Sequence, residues 1–228
     1  MRAIKFPLDI SAIVIDLDGT LLHTAPELCK AANLMLRDMD YAPVSQELLA
    51  SYIGNGISWL VKRALTGDMH ATPDAALYEH ALPIFEKHYT SLLLQSKPFG
   101  GVIEGLDAMQ AAGFRLGCIT NKLACYTEPL LKGVGLTKYF EIVLSGDTLP
   151  EKKPHPLPLL HAAKFFGVPI ARLLLIGDSL NDTVAARAAG CPVFCVPYGY
   201  NHGEPVETLD LDAVIANLPA ALPLIKRA

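Results

Sequence analysis

Short apolar runs rich in β-branched residues recur along the chain and predict buried strands. The first run, residues 10–15, ends at Asp16. Similar runs follow at residues 114–119, 142–144, 173–176 and 193–196. Short runs without polar alternation are typical of strands that are covered on both faces. The pattern therefore predicts a sheet that is buried on both sides.

Helical patterns lie between these runs. They cover residues 105–112, 157–166 and 182–189, and Gly190 closes the last of them. Strands and helices in alternation indicate a parallel sheet with helices on its faces. We expect an α/β fold with a doubly wound, mostly parallel, Rossmann-like sheet.

The stretch from residue 22 to residue 96 departs from this alternation. It carries helical patterns at residues 25–38, 45–51, 56–65 and 75–94 and no obvious strand. We interpret it as a helical domain inserted after the first strand. Residues 97–101 are expected to be the linker that returns, because proline and clustered glycine interrupt a helix. The predicted division is an α/β core, residues 1–21 and 97–228, and a helical domain, residues 22–96.

Composition and charge narrow the classes of function. Of the 228 residues, 51% are apolar and 18% are charged, which excludes a disordered chain. The net charge of -4 and the lack of a Lys/Arg-rich run argue against a nucleic-acid or membrane-surface binder. We therefore expect a small partner molecule, no nucleic acid, no membrane, and a monomer or homodimer.

Cysteine usage and apolar run lengths bear on the compartment. The five cysteines include no C-x-x-C pair, so neither a disulfide framework nor a zinc ribbon is indicated. The apolar stretch near the N-terminus is interrupted by Asp16 and Asp18, unlike the core of a signal peptide. No apolar stretch reaches the length of about 18 residues that a membrane span needs. We expect a cytoplasmic protein.

Polar residues follow the predicted strands directly or within two residues. These residues are Asp16, Thr120, Ser145 and Asp178. In open α/β sheets the ligand crevice lies outside the carboxyl ends of the strands, so these side chains should converge. The alternative for each of them taken alone is a helix cap or a turn.

The segment Asp16-Leu-Asp-Gly-Thr20 is the most specific of these elements. Its two carboxylates are two residues apart and are followed by a turn glycine. One side chain can lie in the crevice while the loop aims the other, which supplies a nucleophile and an acid/base for one substrate. A calcium-binding loop is disfavoured because the ligand positions beyond Gly19 do not match.

Four motifs follow one another along the chain. They are Asp16-Leu-Asp-Gly-Thr20, Ile119-Thr-Asn121, Lys153-Pro154, and Gly177-Asp178-Ser179 with Asp182. In this order they resemble the motifs of the haloacid dehalogenase superfamily of aspartyl-nucleophile phosphatases, and within it those of the phosphoglycolate phosphatases. The resemblance covers essentially the whole chain. It implies that the helical domain is the cap of that superfamily.

The resemblance implies catalytic roles for the first three motifs. Asp16 would be the nucleophile, and Asp18 would be the general acid and then the general base. Thr120 would offer its hydroxyl and Asn121 a backbone N–H to the phosphoryl group. Lys153 would supply positive charge where negative charge accumulates.

Magnesium is the cofactor that the resemblance implies. Its ligands would be Asp16, the carbonyl of Asp18, and Asp178, with Asp182 bound directly or through a water molecule. Lys152 competes with Lys153 for the role of the third-motif lysine. Otherwise Lys152 is a solvated surface charge.

The helical domain carries further candidates. Gly54-Asn55-Gly56 precedes a predicted helix, so its backbone N–H groups could meet an anion, or the segment could be an ordinary helix start. Arg63 is a candidate ligand for a substrate carboxylate, with a surface cation as the alternative. Many relatives carry Asp-Ser after the position of Leu22, whereas this chain has His23-Thr24. We interpret His23 as a neutral hinge residue.

The function implied is a Mg²⁺-dependent phosphate monoester hydrolase for a small phosphorylated organic acid, with 2-phosphoglycolate as the first candidate. The alternative is a phosphatase or mutase of the same superfamily that acts on a sugar or amino-sugar phosphate. A dehalogenase is disfavoured, because that chemistry needs neither a metal nor the second carboxylates Asp18 and Asp178. A phosphate-binding or phospho-receiver module without turnover is disfavoured because both Asp16 and Asp18 are present.

Overall fold

The computed structural model describes residues 5–228, and over this range the chain forms ten strands and eight α-helices. The strands are β1 (Leu8–Ile10), β2 (Ala12–Ile15), β3 (Leu22–His23), β4 (Lys97–Pro98), β5 (Arg115–Ile119), β6 (Ile142–Leu144), β7 (Leu173–Gly177), β8 (Val193–Cys195), β9 (Ala213–Val214) and β10 (Ile225–Arg227). The helices are α1 (Ala25–Asp38), α2 (Gln46–Ser51), α3 (Ile57–Thr66), α4 (Ala75–Leu92), α5 (Val102–Ala111), α6 (Ala124–Gly133), α7 (Leu157–Phe166) and α8 (Leu180–Ala189).

Six parallel strands form the central sheet in the order β6-β5-β2-β7-β8-β9. In the middle of the sheet, Ile15 pairs with Cys118 on one side and with Ile176 on the other. This register brings the residues that follow β2, β5 and β7 to the same edge of the sheet. The strand ends, and not any one loop, therefore set the position of the candidate site.

Successive residues of β2 point to opposite faces of the sheet and enter two different cores. Ile13 and Ile15 join the larger core, which also contains the apolar side chains of α5, α6 and the inserted helices. Ala12 and Val14 join the smaller core with the apolar faces of α7 and α8. Both faces are thus covered by helices, and the predicted α/β, doubly wound, mostly parallel sheet is confirmed.

The predicted elements of this sheet match the structure closely, with three larger differences. Helix α7 has the predicted bounds, whereas α5 begins at Val102, three residues before the predicted start, and α8 begins at Leu180, two residues before it. The predicted first strand divides at Ser11 into β1 and β2. The division occurs because β1 pairs with β10, outside the central sheet.

Helices α1 to α4 occupy most of the stretch 22–96. Helix α1 has the predicted bounds, and its buried Met35 lies in one apolar core with Phe85 and Tyr89 of α4. Helix α4 ends at Leu92, and a 3-10 turn covers Leu93–Gln95, of which Leu93 and Leu94 were predicted to be helical.

Two short strands at the ends of this stretch correct the sequence prediction. Leu22 pairs with Pro98 and His23 pairs with Lys97, in antiparallel orientation. Lys97 and Pro98 were expected to belong to a linker, and no strand was expected at Leu22. A strand of two residues leaves no periodic signal, and proline is accepted in a strand that does not need its N–H for a ladder.

The first four residues of the predicted core segment 1–21 lie outside the described residues. Within residues 5–228, none of the helices has the length and the apolar character needed to cross a membrane.

Candidate active site

A cavity lies at the carboxyl edge of the central sheet. The sheet side contributes three carboxylates, Asp16, Asp18 and Asp178, and two lysines, Lys122 and Lys153. The opposite wall is apolar and comes from the helical stretch. Its side chains are Leu28, Ile53, Ile57 and Leu60. A cavity with a charged floor and an apolar opposite wall can enclose a small polar molecule and exclude water from it.

Asp16 stands at the end of β2 beside a buried lysine. Its backbone N–H donates to the carbonyl of Ile176 at 2.9 Å, which continues the β2–β7 ladder. Lys153 Nζ lies 2.8 Å from Asp16 Oδ1 and 2.6 Å from Asp182 Oδ1. Burial raises the pKa of Asp16 to about 7, with Asp182 and Asp18 adding to the rise and Lys153 opposing it. The carboxylate is thus held in a dry environment by one ammonium group.

Asp178 stands at the end of β7 and is fixed through both carboxylate oxygens. Thr20 Oγ1 donates to Oδ1 at 3.0 Å, and the backbone N–H of Tyr200 donates to Oδ2 at 2.7 Å. A Cβ atom at Gly19 or at Gly199 would collide with this carboxylate, so glycine is required at both positions. Burial, then the charges of Asp16 and Asp182, raise the pKa of Asp178 well above its ordinary value.

Asp182 lies beneath the cavity, and both of its oxygens are engaged. Oδ1 accepts from Lys153, while Oδ2 accepts from the backbone N–H groups of Asp178 and Ser179 and from the Ser179 hydroxyl. Asp182 is fully buried. It forms the capping box at the start of α8, so its contacts hold both the turn that carries Asp178 and the ammonium group of Lys153.

Asp18 is paired with a lysine that the sequence analysis did not single out. Lys122 Nζ donates to Asp18 Oδ2 at 2.9 Å. The other oxygen, Asp18 Oδ1, is buried without a hydrogen-bond partner among the described residues. Burial lowers the pKa of Lys122, but Asp18 and Tyr89 raise it by more, so the net shift is upward. Oδ1 is therefore the Asp18 oxygen that Lys122 leaves unoccupied.

Thr120 and Asn121 lie at the end of β5, and both line the cavity. Thr120 Oγ1 accepts from the backbone N–H of Lys122 at 3.1 Å. The side-chain amide of Asn121 donates to the carbonyls of Lys153, at 2.8 Å, and of Gly54, at 3.0 Å. The Asn121 side chain thus joins two loops of the site, in addition to the backbone role that the sequence suggested.

The 54–56 loop (Gly54-Asn55-Gly56) packs onto the sheet side of the cavity. The carbonyl of Gly54 accepts from Asn121 and from Asn181, and Asn55 Nδ2 donates to Asn181 Oδ1 at 3.1 Å. Gly54 and Gly56 line the cavity. The hydrogen bonds that join this loop to the core thus use its carbonyl oxygens and the Asn55 side chain.

Arg63 supports the 54–56 loop from behind and is not among the residues that line the cavity. Its guanidinium donates to the carbonyl of Tyr52 at 2.7 Å, to Asn55 Oδ1 at 2.9 Å and to the carbonyl of Met69 at 3.0 Å. The side chain is buried, so the alternative of a surface cation is wrong. The structure gives Arg63 three internal partners, and the substrate carboxylate that the sequence suggested stays a prediction.

Two further residues lie elsewhere than the sequence analysis suggested. Lys152 Nζ donates to the carbonyl of Asn55 at 3.1 Å, so it is not a freely solvated charge. Ser145 follows β6 at the sheet edge but does not line the cavity. Its backbone N–H donates to Thr148 Oγ1, which is the turn alternative for this residue.

Four polar residues of the cavity were not predicted from the sequence: Lys122, Asn181, Tyr200 and Asn201. Lys122 directly follows the second motif, and Asn181 lies inside the fourth. Tyr200 and Asn201 follow β8 at the same sheet edge. The rule that ligands bind outside the carboxyl ends of the strands, applied beyond the four motifs, would have found all of them.

The acidic residues of the site fit a divalent cation. One carboxylate oxygen each of Asp16, Asp178 and Asp182 lie within 4.8 Å of one another. With Asp18, four carboxylates face only two buried ammonium groups, those of Lys122 and Lys153, so negative charge is in excess. Oxygen ligands with an uncompensated negative charge are what Mg²⁺ selects in proteins.

Comparison with known proteins agrees with this architecture. The family described as haloacid dehalogenase-like hydrolase matches residues 13–196. Phosphoglycolate phosphatase from Thiobacillus denitrificans is 60% identical over 225 residues, which cover 98% of this chain and 99% of that protein. Phosphoglycolate phosphatase from Nitrosospira multiformis is 53% identical over 224 residues, which cover 98% and 99% of the two chains.

A solved structure leads to the same family. The crystal structure of a predicted phosphoglycolate phosphatase from Haemophilus somnus superposes with a TM-score of 0.86 at 31% identity, covering 93% of this chain and 96% of that one. The matched family spans the strands that carry Asp16, Thr120 and Asp178. The chain belongs to the haloacid dehalogenase-like hydrolase family and is an enzyme.

Proposed function

We propose that this hydrolase releases phosphate from a small phosphorylated organic acid and that 2-phosphoglycolate is its substrate. The observation that carries the proposal is the pair of carboxylates in one cavity, each held by a different buried lysine: Asp16 by Lys153 and Asp18 by Lys122. Relatives that are 60% and 53% identical over 98% of this chain are named phosphoglycolate phosphatases, which supports the choice of substrate.

The two carboxylates divide the chemistry between them. The Asp16 carboxylate attacks phosphorus, and the bond from phosphorus to the leaving oxygen breaks, so an aspartyl-phosphate and an alcohol are formed. Asp18 gives a proton to the leaving oxygen and then takes one from the water molecule that hydrolyses the aspartyl-phosphate. Asp18 Oδ1 suits this role because Lys122 occupies only Oδ2.

Thr120, Asn121 and Lys153 bind the phosphoryl group in this proposal. Lys153 sits between Asp16 and Asp182, so its charge lies where the attacking carboxylate and the phosphoryl oxygens meet. The Thr120 hydroxyl and the Asn121 backbone N–H add hydrogen bonds to the phosphoryl oxygens.

We assign the proposed Mg²⁺ to Asp16, Asp178 and the backbone carbonyl of Asp18. When bound there, the cation would offset the negative charge that otherwise repels the phosphate dianion from Asp16. Asp182 acts as a positioning residue, because its two oxygens already hold Lys153 and the turn at Asp178 and Ser179.

Residues 22–96 act as a cap in this proposal, while residues 5–21 and 97–228 supply the chemistry. The cap covers the cavity with apolar side chains of α1, α3 and the 52–57 segment. Exclusion of water strengthens every charge interaction below it.

A substrate panel tests the proposal. The purified protein is assayed with Mg²⁺ on 2-phosphoglycolate, phosphoserine, glycerol phosphate, hexose phosphates and amino-sugar phosphates, reading released phosphate. We expect the highest kcat/KM for 2-phosphoglycolate, since pairing of its carboxylate rejects analogues that lack one. A hexose or amino-sugar phosphate that is better by about tenfold overturns this substrate. Isomerised sugar phosphate without phosphate release would identify a mutase.

A further inference from the structure

Lys122 occupies a position in the cavity that none of the four motifs explains. Its side chain is only 2% exposed, yet it lines the cavity. Its ammonium group lies 2.9 Å from Asp18 Oδ2 and 5.2 Å from the centre of the Tyr89 ring. Burial of a lysine ammonium group is costly unless anionic or hydrogen-bonding partners compensate its charge.

The hydrogen bonds of Lys122 leave part of its ammonium group available. The group has three N–H donors. Among residues 5–228, Asp18 Oδ2 accepts the one well-formed hydrogen bond from Nζ, and the hydroxyl of Tyr89 is a second neighbour that interacts with the ammonium group. A donor that these two groups leave free belongs to a side chain that lines the cavity and can meet a bound anion.

The place of Lys122 is the leaving-group end of the cavity. In the proposed mechanism Asp18 hands its proton to the leaving oxygen, and Oδ1 is the carboxylate oxygen that Lys122 does not occupy. Lys122 binds the other oxygen of the same carboxylate. A substituent on the carbon next to the leaving oxygen therefore lies within reach of Nζ.

No other cation among the described cavity residues is free to meet that substituent. Lys153 is held between Asp16 and Asp182 at the phosphoryl end. Arg63 is behind the 54–56 loop, where three of its donors bond to internal acceptors, and it does not line the cavity. The wall above is apolar and cannot solvate a carboxylate.

We propose that Lys122 determines specificity by binding the carboxylate of the leaving group while it holds Asp18 in place. The inference rests on the proposed function, since it assigns the carboxylate of 2-phosphoglycolate a partner. It also explains how neutral leaving groups are rejected. A molecule without the carboxylate leaves the remaining donors of a buried ammonium group against an apolar wall, which is the kind of mismatch that discriminates strongly.

The test compares two substrates of nearly equal size, 2-phosphoglycolate and 2-hydroxyethyl phosphate, whose leaving groups differ in a carboxylate against a hydroxymethyl group. The quantity measured is the ratio of their kcat/KM values in the wild type and in Lys122→Met. Because both substrates report on the same folded molecules, a partly unfolded variant does not alter the ratio. We expect the ratio to fall about 10- to 100-fold in Lys122→Met, with the KM for 2-phosphoglycolate rising.

The control is Lys132→Met, the same substitution at an exposed position of α6, which should leave the ratio unchanged. If Lys122→Met slows both substrates and the ratio stays constant, Lys122 serves Asp18 alone and the inference is wrong. A wild type that does not prefer 2-phosphoglycolate overturns the proposed function and this inference together. A wild-type preference that survives in Lys122→Met overturns the inference alone.

Discussion

The two sides of the cavity are built by different means. The sheet-edge cluster (Asp16, Asp178, Asp182 and Lys153) is buried, and its charged groups bond to one another and to backbone N–H groups of the core. The 54–56 loop meets the core through neutral hydrogen bonds with Asn121 and Asn181 and one bond from Lys152. Neutral hydrogen bonds are worth about 0.5–1.5 kcal/mol each, and a buried charge that loses its partner costs more.

This difference predicts separate roles, turnover for the sheet-edge cluster and substrate preference for the 54–56 loop. The sheet-edge cluster is costly to disturb because each charge compensates another in a dry place. Each hydrogen bond of the 54–56 loop is less costly to lose, because its donors and acceptors can bond to water instead. We therefore expect substitutions in the cluster to remove turnover, and substitutions at the loop contacts to change which substrate is preferred.

The largest effect is expected at the nucleophile. Asp16→Asn should lower kcat by about 10⁴-fold or more, because an amide oxygen is too weak a nucleophile to replace the carboxylate. The loss of kcat is measured as the rate of phosphate release from 2-phosphoglycolate. Asp147→Asn is the matched control, since Asp147 also follows a strand at the sheet edge but only accepts from the backbone N–H of Ala124 at the start of α6. More than a few per cent of residual activity in Asp16→Asn would contradict the covalent mechanism.

The acid/base residue should give the next largest effect. Asp18→Asn should slow turnover by about 10²- to 10⁴-fold, the usual contribution of general acid/base catalysis. Because the proposed mechanism has the same residue activate water in the second step, the variant should accumulate the phosphorylated Asp16. Intact-mass measurement after mixing with substrate detects the added phosphoryl group. Wild-type rates in this variant would exclude the role assigned to Asp18.

Metal binding should separate Asp178 from Asp182. Excess chelator should abolish activity in the wild type. Asp178→Ala should raise the Mg²⁺ concentration for half-maximal activity by about 100-fold or more, because a metal ligand is lost. Loss of Asp182, which positions the ligands without binding the metal in this proposal, should raise it by about 10- to 100-fold. A second readout is the rise in Tm on adding Mg²⁺, which follows from binding to the folded state. That rise should disappear in Asp178→Ala and persist in Asp147→Ala. Full activity in chelator would remove the metal from the mechanism.

The smallest effect is expected at the contact between loop and core. Asn181→Ala removes the bonds to Gly54 and Asn55, so kcat/KM for 2-phosphoglycolate should fall about tenfold. An aryl phosphate, which is larger and needs less closure, should lose less. Asn33→Ala is the control, because Asn33 makes two bonds to Val44 inside the helical stretch and none to the core. An equal loss on both substrates in Asn181→Ala would show that the contact does not bear on specificity.

Much of the sheet and part of the site could be predicted from local patterns. Strand β6 and helices α1 and α7 have the predicted bounds. Such elements carry their own signal, since an apolar run or a helical period reports which positions are buried. Helix α6 was not singled out, and it carries Pro129 in its interior, a residue that normally interrupts a helix.

The positions of Asp16, Thr120 and Asp178 at one sheet edge followed from the sequence alone, because polar residues after buried parallel strands meet wherever the strands end. The ion-pair and hydrogen-bond partners of the site residues could not be predicted in the same way. Lys122 and Asp18 are 104 residues apart, and no local sequence pattern near either residue predicts their ion pair. Arg63 shows the same limit: its charge suggested a substrate carboxylate, and nothing in the sequence predicted its three internal acceptors.

The sequence by itself determined the fold class, the order of the motifs and the edge where they meet, because these depend on local burial patterns and on chain direction. Only the tertiary structure decided which lysine holds which carboxylate, that β3 pairs with β4, and which loop closes on the core. These depend on distances between residues remote in sequence. A hydrogen bond or ion pair is specific at about 3 Å, and no periodicity along the chain encodes a separation that small.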